Sequence, residues 1–143
     1  MDKAREQEIN RLFLEYRRTF ESGDAEQVAD FYRFPLHYYS ESGGKAAVDR
    51  PQFERLVARL LAIYRRLGVE QIVGTIAGIN ELNENSAQVS LNWILLRAGN
   101  GERQPVYSAT TRYLVGECDG FLRIDGLIAV DETRKIRAAL RQP

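Results

Sequence analysis

The run Phe13 to Pro35, FLEYRRTFESGDAEQVADFYRFP, constrains the fold of this chain more than any other stretch. Ile9, Leu12, Phe13, Tyr16 and Phe20 recur at intervals of three and four and predict a helix over about residues 3–21 with one apolar face. Gly23 follows, suited to the left-handed conformation that ends a helix. Asp24 then starts a second, short helix as its N-cap, with Gln27 at the capping-box spacing. Val28, Phe31 and Tyr32 form its apolar stripe. Pro35 ends it, because the residue before a proline avoids helical angles.

The remaining elements follow in order. Leu36 to Val48 reads as a hairpin turning at Gly43-Gly44. Asp49 caps a third helix, with Pro51 in its first turn, an apolar face of Phe53, Leu56, Val57, Leu60, Tyr64 and Leu67, and Gly68 at its end. Strands are predicted over 69–82, 87–97, 105–116 and 121–130, separated by turns at Asn83-Glu84-Asn85, Gly99-Asn100-Gly101 and Asp119-Gly120. In the second of them Ala87, Val89, Leu91 and Trp93 point one way and Gln88, Ser90 and Asn92 the other. Asp131 caps a short last helix holding Ile136 and Leu140. Three helices, a hairpin and a long antiparallel meander make an α+β domain, a single one over residues 1–143. The apolar run Trp93-Ile94-Leu95-Leu96 serves both faces of the sheet, so a second copy of the chain is expected on the outer face.

Composition narrows the partners. Lys+Arg and Asp+Glu are 20 each, which gives no overall attraction for nucleic acid or an anionic membrane. Arg17-Arg18 and Arg65-Arg66 read as solvated helix faces. The start MDKAREQEIN is too charged for a signal peptide, and no apolar run reaches the roughly 18 residues of a membrane span. Cys118 stands alone in the turn 116–120, so no intrachain disulfide forms. A soluble, cytoplasmic protein is expected. With one histidine and one cysteine there is no basis for a transition-metal site. Gly-rich phosphate loops and nucleophile elbows are missing from the sequence, and no cofactor is expected.

The order and spacing of these elements resemble the nuclear-transport-factor-2-like superfamily, which includes ketosteroid isomerases, scytalone dehydratases and SnoaL-like cyclases. The residues that carry the resemblance are Tyr16 through Gly23-Asp24, Phe31-Tyr32-x-x-Pro35, the strand reaching Trp93, and Tyr113-Leu114-Val115 followed by Gly120-Phe121-Leu122-Arg123-Ile124. Leu122 stands where that family usually has an aromatic residue. The resemblance covers almost the whole chain. It implies a curved antiparallel sheet forming a cone, three N-terminal helices over it, a short C-terminal helix, and a homodimer through the outer sheet face.

Tyr16 stands at the spacing from Asp24 that resembles the isomerase tyrosine, but the base position falls at Ser40 and the second carboxyl position within Thr110–Arg112. A serine without a partner base does not abstract a carbon-bound proton near neutral pH, and these gaps argue against steroid isomerisation. The remaining acid–base candidates are His37 and Asp125, with Tyr16 as hydrogen-bond donor. Arg123 and Asp125 share a side of the last strand, and Leu122, Ile124 and Ile128 look like its buried set, which places Asp125 outside. Along the first hairpin strand either His37 and Tyr39 or Tyr38 and Ser40 point inward. The expected pocket residues are Tyr16, His37, Tyr39, Trp93, Tyr107 and Tyr113. The function favoured by these residues is binding of a small, largely apolar molecule, with no committed catalytic residue. The alternatives are an isomerase, dehydratase or cyclase using His37 or Asp125 as base, and a structural or interaction domain with a filled cavity.

Overall fold

Local capping sets the helices. In the computed structural model, which describes residues 1–142, α1 spans Lys3–Ser22 and buries Ile9, Phe13 and Tyr16. It starts where Asp2 accepts the Arg5 N–H at 2.8 Å and ends at Gly23 with φ of 78°. Asp24 accepts from the N–H groups of Glu26 and Gln27, and α2 follows over Ala25–Ala29. Asp49 and Gln52 form a reciprocal capping box at the start of α3, Arg50–Leu67. Gly68, with φ of 74°, closes it. The buried face of α3 is Phe53, Val57, Leu61 and Tyr64; it is rotated from the expected one, leaving Leu56 45% exposed.

The second helix is shorter than its apolar spacing suggested. Phe31 and Tyr32 lie beyond it, and Tyr32–Tyr39 is strand β1, with Pro35 inside it after a cis peptide bond. The backbone reason is pairing. The Ile124 N–H donates to Phe31 O at 2.8 Å and Tyr32 lies opposite Ile124, so tertiary hydrogen bonds take the residues that would have extended the helix.

β1 pairs with β2, Lys45–Val48, as the expected hairpin with Leu36 opposite Val48. The meander is β3 (Val69–Asn83), β4 (Ser86–Arg97), β5 (Gln104–Cys118) and β6 (Phe121–Ala129), followed by α4 (Glu132–Arg141). Cys118 is therefore the last residue of a strand rather than part of a turn. The six strands form one curved, unclosed sheet in the order β2-β1-β6-β5-β4-β3. It is antiparallel except where β1 and β6 run parallel.

Burial alternates along β4 as predicted: Ala87, Val89, Leu91, Trp93 and Leu95 face the helices and are buried. In β6 the alternation breaks. Leu114 lies opposite Gly126 while the next residue, Val115, lies opposite Ile124, which makes Asp125 the extra residue of a bulge. Leu122 and Ile124 face inward before the bulge, and Leu127 and Ala129 do so after it. Ile128, opposite Arg112, is carried to the outer face, which corrects its expected place in the buried set. Among the described residues no helix is long and apolar enough to cross a membrane.

Candidate functional site

Between the inner face of the sheet, α3 and the start of α4 lies a cavity of about 290 Å³. Its walls are mostly apolar. Tyr16 and Phe20 come from α1, Phe53 and Val57 from α3, and Trp93, Leu95 and Tyr113 from the sheet. Local sequence explains the wall that carries the indole. Gly74 lies opposite Trp93 on β3, and a Cβ there would collide with the Trp93 ring. The missing side chain lets the indole pack closely against the strand.

Tyr16 is the hub of an aromatic cluster in the cavity wall. Six aromatic rings (Phe13, Phe20, Phe31, Tyr32, Trp93 and Tyr113) have centroids between 5.6 and 6.2 Å from its own. Its hydroxyl is 2.7 Å from that of Tyr32, and Trp93 Nε1 donates to the Tyr113 hydroxyl at 3.1 Å. Burial raises the pKa of all three phenols. They remain neutral hydrogen-bonding groups with partners inside the protein.

Another part of the cavity lining is polar, and sequence reasoning missed it. Glu132, the first residue of α4, lines the cavity. Its Oε2 accepts from the Tyr107 hydroxyl at 2.7 Å and from the Tyr64 hydroxyl at 3.1 Å. Burial pushes its carboxyl above the usual value, and the two phenol donors pull part of the way back. Glu41, from the β1–β2 turn, also lines the cavity. Its Oε2 accepts the Thr133 N–H at 3.0 Å and so caps α4, while its Oε1 is buried without a partner. Asp131, the expected cap, makes no capping bond to α4 and instead accepts the Thr110 N–H at 2.8 Å.

The expected pocket residues divide. Tyr16, Trp93 and Tyr113 line the cavity. Tyr107 is buried and reaches it through Glu132. His37 and Tyr39 are not among the lining residues: Leu36 and Tyr38 take the inward positions of β1, and alternation sends His37 and Tyr39 to the other face. Asp125 is also absent from the lining. Burial raises its carboxyl, while neighbouring Arg33 and His37 oppose the shift, so the two proposed bases sit together away from the cavity. Ser40, at the isomerase base position, is a turn residue whose Oγ accepts the Gly44 N–H at 2.9 Å. Among the described residues no group of three or more potential metal ligands is found.

The family described as NTF2-like protein (DUF6841) matches residues 6–132. No curated protein matches the chain. Among solved structures, Aln2 from a Streptomyces species is similar with a TM-score of 0.74 at 12% identity, over 96% of this chain and 98% of that one. A protein from Catenulispora acidiphila, solved in complex with S-DNPA, gives 0.69 at 17% identity over 95% and 99%. An NTF-2 like protein of unknown function from Shewanella oneidensis MR-1 gives 0.64 at 19% over 87% and 98%. At these identities the likeness is one of fold.

Proposed function

Since the chain belongs to this NTF2-like family, and membership sets a fold rather than a reaction, we propose that the protein is a binding module whose cavity holds a small, largely apolar molecule. The observation that carries this reading is the cavity: about 290 Å³ walled by aromatic and aliphatic side chains, with a few polar groups gathered at one end. Small-molecule sites have this form. A filled core would have left no such space. The Catenulispora acidiphila neighbour, solved with a small molecule, is in keeping with it.

The test is co-purification. Small molecules released from the denatured protein are identified by mass spectrometry and compared with those released from Ala129→Phe, which fills the cavity from β6. A compound bound by the wild type and missing from the variant supports the reading. Identical extracts from both contradict it.

A second reading, acid–base catalysis, rests on Glu132. His37 and Asp125 lie off the cavity, whereas a buried carboxyl with a raised pKa beside two phenols is the kind of group that serves as a general base or acid. Hydrogen–deuterium exchange of activated C–H protons in small ketones, followed by NMR, tests it. Exchange lost in Glu132→Gln favours catalysis, and equal rates in both proteins exclude this role for Glu132.

We also propose that the protein is a homodimer through the outer sheet face. Val73, Ile94 and Leu114 lie on that face, with Ile94 38% exposed.

A further inference from the structure

Glu132 and Glu41 meet at the same end of the cavity, and neither carries a partner cation. Among the described residues no ion pair reaches either carboxyl. The Glu132 Oε2 is already taken by two phenol donors, so what the group still offers is acceptor capacity. The Glu41 Oε1 is buried and accepts from nothing. A buried acceptor without a donor is costly, and native proteins leave few of them.

The charges facing this end are Glu41, Glu132, neighbouring Asp131 and, on the α3 wall, Arg59. Arg59 is exposed and forms no ion pair with these carboxyls among the described residues. The local balance is therefore negative, inside a wall built from tyrosine, phenylalanine and tryptophan rings. Aromatic faces carry partial negative charge and attract cations. Carboxylates and aromatic faces together select one class of head group.

We infer that the cavity takes an organic ammonium ion, with its apolar body against Trp93, Phe53 and Tyr16 and its nitrogen between Glu132, Glu41 and the nearby rings. This rests on the binding reading above and adds the chemistry of the ligand's head. An ammonium supplies the cation partner that, among the described residues, Glu41 and Glu132 both lack. A neutral alcohol supplies a single donor and no charge. A carboxylate brings a third negative charge to the same end.

Three probes with one apolar body separate these cases: 4-phenylbutylamine, 4-phenylbutan-1-ol and 4-phenylbutanoate, titrated calorimetrically at pH 7. The amine binds the wild-type protein at least about tenfold more tightly than the alcohol, the size expected for hydrogen bonds to charged groups. The carboxylate binds most weakly. In Glu132→Gln the preference for amine over alcohol falls to about twofold or less, because the charge-assisted contact is lost. Glu41→Gln reduces the same ratio and serves if the first variant does not fold. Equal binding of amine and alcohol to the wild type overturns the ammonium inference and leaves the apolar reading standing. No binding by any of the three overturns both.

Discussion

A carboxyl at the first position of a helix is ordinarily a solvated one that complements the helix dipole. Glu132 departs from this because Tyr64 and Tyr107 enclose it, and nothing in its neighbourhood of sequence announces them. Spacing did indicate the aromatic wall: Tyr16, Trp93 and Tyr113 fall on faces that a helix or strand period predicts. The burial of Glu132 has a consequence for stability. Its folded-state pKa is raised above the ordinary 4.5, so the folded state holds the proton more tightly than the unfolded chain. Stability from this group is present at acid pH and is lost as pH rises through the folded pKa. Glu132→Gln therefore raises the melting temperature at pH 7 relative to wild type, and the gain disappears below pH 4.5 in a thermal-denaturation series. A gain that is independent of pH contradicts the assignment. Gly74 gives a second residue-level expectation. Gly74→Ala forces the Trp93 ring to move, costs about 1–3 kcal/mol as overpacking does, and shifts the emission of the single tryptophan. Unchanged stability and emission argue against that contact.

Capping signals located the ends of α1 and α3 closely, because a cap is a contact between residues near in sequence. Asp49→Ala removes one half of the capping box on α3, and urea unfolding shows a loss of about 1 kcal/mol. Asp131→Ala is different in kind. It leaves the α4 cap in place, since Glu41 supplies that, and takes an acceptor from Thr110 on β5. Hydrogen exchange at the Thr110 amide rises in this variant, while α4 amides stay protected; the reverse pattern contradicts the roles given to Asp131 and Glu41. Long-range contacts also account for the elements that were misread. Phe31 and Tyr32 have spacing that fits a helix, and pairing with β6 draws them into an extended segment. The bulge at Asp125 changes which face of β6 each later residue takes, so a strict two-residue period mislabels Ile128. Bulges of this kind have no local sequence mark when the extra residue is not glycine.

For the molecule as a whole, the α+β architecture was legible because four long strands and three amphipathic segments leave few other ways to bury their apolar faces. The cavity was implied by the fold, but its polar end was not, since it is assembled from a turn, one strand and two helices far apart in the chain. The outer sheet face belongs to this scale too. Sedimentation at micromolar concentration gives a dimer, and Ile94→Lys, placing a charge in the middle of that face, gives a monomer whose far-UV circular dichroism is unchanged. A wild-type monomer contradicts the dimer. Ligand binding is read most directly through Trp93, the single tryptophan and part of the cavity wall. Titration of the wild-type protein and of Ala129→Phe with 4-phenylbutan-1-ol, followed by Trp93 emission, gives a saturable change in the wild type and none in the filled variant. The same response in both proteins, or no saturable response in the wild type, contradicts a ligand-binding cavity.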